Sequence, residues 1–186
     1  MASKNAGNVI TFEGKITEAS MTELGERIQV HQTKLAKRRH RGAALLAITS
    51  NGGSPFAAEN LARQFCYESF APLHTIAVGE VSSAAILLWL GGKRRLILPS
   101  TILRFHGARK GLKAGHYSAM ELSELAEDLT CDDTVIAHTI FQRCRPGKRV
   151  MSTREILKML QSNQQLSPEV ALHAGLADKI VERLPK

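Results

Sequence analysis

The stretch "TIAVGEVSSAAILLWLGG", residues 75–92, contains the arrangement on which the interpretation of this chain depends. An apolar run stops at Gly79, two serines stand together at Ser82 and Ser83, and an almost wholly apolar segment closes on two glycines. This pattern predicts a strand, a turn "GEVSS" and a short helix. For the serines two interpretations are open: they cap a buried helix, or one of them is a nucleophile.

The same order of strand, turn and helix occurs earlier in the chain. The pattern predicts strands over residues 8–14 and 42–50 and helices over residues 17–38 and 54–69. Gly52 and Gly53 separate the second strand from a helix that begins with Ser-Pro, a favourable N-cap and first-turn pair. Alternation of short apolar runs with amphipathic segments indicates an α/β fold.

The second half of the chain continues this alternation. Two strands, "RRLILP" and "TILRFHG", precede a long amphipathic helix over residues 118–143, in which the apolar positions are Met120, Leu122, Leu125, Leu129, Val135 and Ile136. A Ser-x-x-Glu capping box opens the next helix at Ser152. Residues 167–184 then predict a short helix, a glycine corner and a last strand.

Length and composition limit the class of protein. A chain of 186 residues with 44% hydrophobic content can build one substantial core, and no shift in composition divides it, so we expect a single domain over residues 1–186. No apolar run is long enough to span a membrane, and the start "MASKNAGN" lacks the apolar centre of a secretory signal. We therefore expect a cytoplasmic protein without a membrane partner.

Cysteine spacing and charge exclude further classes. Cys66, Cys131 and Cys144 are odd in number and have no metal-like spacing, so we expect neither disulfides nor a metal site. The net charge is +8, and its densest patch is "KLAKRRHR", residues 34–41. The patch has no interleaved aromatic residues, which favours a solvated helix end over nucleic-acid or partner binding, and we expect no nucleic-acid partner.

A nucleophilic serine needs a general base and donors for an oxyanion. His106 stands where the apolar strand "TILRF" ends, so it is either that base or a partly buried histidine at a strand terminus. Donors could come from the N–H of Ala84 at the helix start and from the Gly52-Gly53 turn, which is otherwise only a turn.

Taken together, these segments resemble the proteolytic subunit of the Clp protease, within the ClpP/crotonase superfamily. The resemblance rests on "ITSNGGSPFAAENLARQF", on "VGEVSSAAILLWLGGKRRLILPSTILRFHGA" and on "LSPEVALHAGLADKIVE", and it extends from about residue 8 to residue 184. It implies a superhelical core of repeated β-β-α units, and residues 118–143 match the family's protruding handle helix, whose apolar face packs two rings together.

The resemblance also implies the chemistry. Ser83 would be the nucleophile, His106 the general base, and Gly53 and Ala84, with Gly52 as a further candidate, the oxyanion donors; Ser82 matches a small residue that is not the nucleophile. The implied protein is a serine peptidase that hydrolyses peptides or unfolded proteins through an acyl-enzyme, without a cofactor. It would act as a homo-oligomer, a ring or stacked rings.

One departure from the family concerns the third member of the triad. An ungapped alignment of the closing segment places Met159 where the family has an acidic residue. A thioether cannot orient the histidine, and loss of the orienting acid costs roughly 10⁴-fold in turnover. Asn163 is the candidate substitute, while Asp132 and Asp133 on the long helix would reach the site only if that helix folds back.

A second departure lies at the start of the chain, where only residues 1–8 stand in place of the family's axial gate. We therefore do not expect a standard partnership with an AAA+ unfoldase. Two other functions stay open: a catalytically degenerate ClpP-like subunit with a structural or interaction role, and a crotonase-type enzyme acting on acyl-CoA. The latter class uses carboxylates rather than a serine and histidine pair.

Overall fold

The computed structural model describes residues 9–37, 43–65, 73–144, 149 and 151–184. Cys66 and residues 38–41 of the basic patch lie outside this range. The strands are β1 (Val9–Glu13), β2 (Ala44–Ser50), β3 (Leu73–Ser82), β4 (Arg95–Ile97), β5 (Ile102–Arg104), β6 (Gln165–Leu166) and β7 (Lys179–Ile180). The helices are α1 (Glu18–Lys37), α2 (Pro55–Arg63), α3 (Ala84–Leu90), α4 (Ala119–Arg143), α5 (Thr153–Gln161) and α6 (Pro168–His173).

A mostly parallel sheet organises these elements, which confirms the predicted α/β class. Its main path runs β1-β2-β3-β4-β7, with every neighbouring pair parallel. On a branch beside β3, β5 adds in parallel and β6 pairs antiparallel with β5. Six of the seven residues of β2 are buried, as expected for a parallel strand covered on both faces.

The turn predicted for "GEVSS" is wrong up to Ser82, because β3 continues through these residues. Gly79 adopts φ +65°, and the register with β2 shifts between Ile48 and Ser50. This irregularity divides β3: residues 75–77 pair with β4, and residues 80–82 pair with β5. A glycine that looks like the end of a strand is thus a bulge within it.

Helix α3 is the most deeply buried element, with all seven of its residues inside the core. Trp89 is fully buried, and its indole N–H donates to the carbonyl of Leu96 at 2.9 Å. The carbonyl of Trp89 accepts the hydroxyl of Thr75 at 2.7 Å. These two bonds fix the helix, whose first residue follows Ser83, against the centre of the sheet.

Helix α4 forms over the predicted range, but the apolar side chains of its first half do not enter the core of this chain. Its buried residues are Asp133, Ala137 and Ile140, all in the second half. Met120 is 72% exposed and Leu122 is 44% exposed. The helix therefore packs at its second half and projects its first half into solvent. Within the described part of the chain, no helix has the length and apolar character needed to cross a membrane.

Candidate active site

Ser83 and His106 leave the sheet at the same edge. Ser82 and Arg104 are opposite each other in the parallel pair β3 and β5, and the N–H of Ser83 donates to the carbonyl of Arg104 at 2.9 Å. Ser83 is the residue after β3, and His106 is the second residue after β5. Because neighbouring strands lie about 5 Å apart, this topology brings the two segments together.

The two adjacent serines have different environments. Ser82 is 2% exposed, and its hydroxyl donates to Oε1 of Glu80 at 2.7 Å. Ser83 precedes α3 with φ 55° and ψ −128°, and its side chain makes no capping hydrogen bond. The helix-cap interpretation therefore fails for Ser83. A positive φ at a serine costs on the order of 1–3 kcal/mol, and such strain occurs mainly at functional sites.

The Gly52-Gly53 turn lies directly against this serine. Gly52 has φ +94° and Gly53 has φ +147°, conformations that side-chain-bearing residues rarely adopt. The carbonyl of Gly52 accepts the N–H of Ile16 at 2.9 Å, and the N–H of Gly52 donates to the hydroxyl of Ser50 at 3.0 Å. These bonds hold the turn in a fixed orientation.

Two backbone donors remain available beside Ser83. Within the described residues, neither the N–H of Gly53 nor that of Ala84 has a hydrogen-bond acceptor. A Cβ placed on Gly52 would lie 3.1 Å from the nitrogen of Ala84, so the two segments are in contact. The N–H of Gly52 is occupied by Ser50, and Gly52 therefore supplies close approach rather than a donor.

His106 is half-buried, and its Nδ1 lies 2.8 Å from the carbonyl oxygen of Gly107. A carbonyl oxygen can only accept a hydrogen bond, so Nδ1 must be the protonated nitrogen of the neutral ring. Nε2 then carries a lone pair and can accept a proton. This is the tautomer that a general base requires.

A cleft of about 880 Å³ contains these groups, a size typical of small-ligand sites. Ser83, His106, Gly53 and Ala84 all line it. The lining also includes apolar and charged side chains: Phe56, Leu129, Ile136, Lys15, Lys110 and Asp132. The site thus joins a hydroxyl, an imidazole and free N–H groups in a cleft with apolar and charged walls.

Comparisons with known proteins identify the family of this chain. The family model for Clp protease matches residues 8–184. The chain belongs to the Clp protease family. Among solved structures, a point mutant of ClpP1 from Listeria monocytogenes has the same fold, with a TM-score of 0.73 and 18% identity, over 95% of this chain and 92% of that one. No curated protein sequence matches the chain significantly.

Membership of the Clp protease family confirms the resemblance found in the sequence. The family consists of serine peptidases that act on peptide substrates and form oligomeric rings. The α/β fold with its parallel sheet agrees with the ClpP fold, as predicted.

The structure places the predicted substitutes for the triad acid in different positions. The Oδ1 atom of Asn163 accepts a hydrogen bond from Arg109 at 3.0 Å, so this side chain is not paired with His106. Met159 is 6% exposed and packs in the hydrophobic core. Nδ1 of His106 is paired with Gly107 instead, a contact that no side-chain pattern in the sequence indicates.

Asp133 does lie beside the histidine segment. Its Oδ1 atom accepts the N–H of Ala108 at 2.5 Å, although Asp133 stands in the middle of α4. The carboxylate of Asp133 thus contacts the segment that follows His106 rather than the imidazole itself.

Proposed function

We propose that this Clp protease family chain is a serine peptidase that cleaves peptide bonds through an acyl-enzyme on Ser83. The observation that carries the proposal is the state of that serine. Its hydroxyl makes no capping bond, its backbone has φ 55°, and it shares one cleft with His106 and with the free N–H groups of Gly53 and Ala84. Hydroxyl, base and donors are the three parts that acyl transfer needs.

In the first step, Oγ of Ser83 attacks the carbonyl carbon of the scissile bond and gives its proton to Nε2 of His106. The oxyanion accepts hydrogen bonds from the N–H groups of Gly53 and Ala84, each such donor being worth about 10²–10³ in turnover. The intermediate collapses as His106 returns the proton to the leaving amine. Water, deprotonated by His106, then hydrolyses the ester and restores the serine hydroxyl.

We propose peptides or unfolded protein segments as substrates. The cleft is formed by strand ends and helices, and its lining includes both apolar side chains, such as Phe56, Leu129 and Ile136, and charged ones. Phe56 is 62% exposed, so its ring is accessible to a substrate side chain. An extended chain can therefore bury apolar side chains while its backbone reaches Ser83.

Labelling with a fluorophosphonate probe tests the proposal, because the probe reacts with an activated serine hydroxyl. We expect covalent labelling of Ser83, seen by peptide mass spectrometry, and its loss in Ser83→Ala. Ser82→Ala is the matched control, since that hydroxyl is bonded to Glu80, and it should label like the wild type. Absence of labelling in the assembled protein, under conditions that label a known serine peptidase, would refute the proposed peptidase activity.

We also propose that the chain forms a homo-oligomer through α4. The first half of this helix does not pack against the core: Met120 is 72% exposed and Leu122 is 44% exposed. These two exposed apolar side chains are where we place the contact with another copy. Association with further copies would bury them and enclose the cleft in a chamber.

A second candidate function is a catalytically degenerate subunit with a structural role. It is favoured by Met159, which is buried where the family has its acid, and by Asn163, whose side chain is bonded to Arg109. Peptidase assays of wild type and Ser83→Ala separate the candidates. If the wild type and Ser83→Ala hydrolyse peptides at the same background rate, the result supports the degenerate subunit.

A further inference from the structure

One peptide group, Gly107–Ala108, connects His106 with Asp133. The carbonyl of Gly107 accepts Nδ1–H of His106 at 2.8 Å. The N–H of the same peptide group, on Ala108, donates to Oδ1 of Asp133 at 2.5 Å. Imidazole, peptide group and carboxylate thus form a continuous chain of two hydrogen bonds.

The carboxylate at the end of this chain is held in place by burial and shape. Asp133 is 9% exposed although α4 is largely exposed over its length. A Cβ on Gly107 would lie 2.7 Å from Oδ2 and 3.3 Å from Oδ1 of Asp133. Only glycine allows the carboxylate to lie this close to the backbone that follows the histidine.

The charge on the Asp133 carboxylate acts through these two hydrogen bonds on the imidazole of His106. A carboxylate that accepts the N–H polarises the peptide group, and its carbonyl oxygen becomes more negative and a stronger acceptor. Inside a protein this coupling is screened less than in water. The Gly107 carbonyl therefore holds Nδ1–H, and the imidazolium formed during the reaction, more firmly than an isolated carbonyl would.

We propose that Asp133 is the positioning residue for His106 and acts through the Gly107–Ala108 peptide group in place of a directly bonded triad acid. The base role of His106 rests on the proposed function, whereas the hydrogen-bonded chain does not. Asp133 does not touch the substrate. Its part is to fix the tautomer of His106 and to stabilise the charged ring, which is the work of the acid in a serine triad.

The competing explanation is that Asp133 only anchors a loop. Asp133→Asn separates the two, because an asparagine keeps the shape and an acceptor for Ala108 but removes the charge. We expect kcat and the probe-labelling rate to fall about tenfold or more, with KM unchanged, by analogy with the partners of metal-ligating histidines, whose loss costs about 10–100-fold. Asp128→Asn removes the same charge from an exposed site on α4 and should match the wild type. Equal rates for Asp133→Asn and the wild type would overturn the proposal.

The tautomer is measured independently of activity by solid-state NMR of the sedimented protein labelled with 15N-histidine. The signals of His106 are assigned by their loss in His106→Gln. We expect the neutral ring to carry its proton on Nδ1 in the wild type, and the Nδ1–H fraction to fall in Asp133→Asn. A wild-type ring protonated on Nε2 overturns the proposal.

Gly107→Ala provides a second route to the same result if Asp133→Asn fails to fold. The added methyl would displace the carboxylate, and we expect the same loss of kcat and of Nδ1–H. The two proposals fail in different ways. If Ser83 is never labelled but the tautomer responds to Asp133→Asn, the peptidase fails and the positioning chain stands. If Asp133→Asn changes neither the labelling of Ser83 nor the tautomer of His106, the proposal for Asp133 fails and the proposed peptidase stands.

Discussion

A Cβ on Gly52 would lie 2.7 Å from the Cβ of Ser83, so the Gly-Gly turn and the end of β3 meet with no space for a side chain. The same Cβ would lie 2.8 Å from the carbonyl oxygen of Ser82. Gly52 is therefore required for the close approach of the Gly52-Gly53 turn to Ser83. In the mechanism that we propose, this approach lets the N–H of Gly53 act together with the nucleophile.

Gly52→Ala should disable the site. The methyl group would force the turn away from Ser83, and the loss of one oxyanion donor costs about 10²–10³ in turnover. The residue would also be strained at φ +94°, which lowers the free energy of unfolding by about 1–3 kcal/mol. Probe-labelling kinetics and urea unfolding measure the two effects separately.

Gly79→Ala is the control for Gly52→Ala. Gly79 also has a positive φ, +65°, but its Cβ would meet nothing closer than the Thr49 methyl at 3.8 Å. It should lose stability through strain and keep the labelling rate of the wild type. If Gly52→Ala loses no more activity than Gly79→Ala, contact between the turn and Ser83 has no role in catalysis.

Met159→Asp tests whether the family's acid position is still usable. Met159 is 6% exposed in the core and does not line the cleft, and Nδ1 of His106 is already bonded to Gly107. An aspartate there would be a buried charge without a described partner, so we expect a loss of about 3 kcal/mol or more in unfolding free energy and no gain in peptidase rate.

Met159→Leu preserves the volume of the side chain and should cost less than about 1.5 kcal/mol. Thermal unfolding and peptide hydrolysis of both variants show whether an acid at position 159 raises the peptidase rate or only destabilises the fold. A higher kcat in Met159→Asp at an unchanged melting temperature would mean that His106 turns toward this position, contrary to our expectation.

The sequence predicted most of the fold because the deciding signals are local. Hydrophobic periodicity located α1 and β2, and the Ser-x-x-Glu capping box located the start of α5 at Ser152. The prediction that the strand ends at Gly79 is wrong for a physical reason. A glycine with positive φ ends a strand in one context and bulges it in another, and only the pairing of residues 80–82 with β5 distinguishes the two cases.

The candidate site was predicted less completely. The sequence shows that His106 follows a strand, but it predicts a turn before Ser83 where the structure has the end of β3; the family resemblance joined the two residues. The contact of His106 with the Gly107 carbonyl has no side-chain signature, since every residue carries a carbonyl group. Likewise, the approach of Asp133 depends on how α4 packs, which is a tertiary property that spacing along the chain does not encode.

Met120→Glu should weaken the proposed assembly. Met120 is 72% exposed on the projecting half of α4, so a charge there costs the single chain little but would be buried without a partner in an interface. We expect a smaller species by sedimentation velocity at the same protein concentration. Met120→Leu keeps the apolar surface and should assemble like the wild type. An unchanged size for Met120→Glu would exclude this part of α4 from the interface.

Lowering the pH should reduce the stabilisation that Glu155 gives to the N-terminus of α5. The backbone N–H and the hydroxyl of Ser152, followed by Arg149, lower the pKa of Glu155 from its ordinary 4.5 to about 2. Because the folded-state pKa is the lower one, the carboxylate stabilises the fold fully above pH 4.5, and this contribution is lost as the pH falls toward 2. The difference in melting temperature between wild type and Glu155→Gln should therefore be largest near neutral pH and shrink across this interval in a calorimetric pH series. Ser152→Ala removes the bond from the hydroxyl and keeps the bond from the backbone N–H, so the pH-dependent part of its difference from the wild type should be smaller than that of Glu155→Gln. Melting curves of wild type and Glu155→Gln that stay parallel from neutral pH to acid would contradict a stabilising charge at this cap.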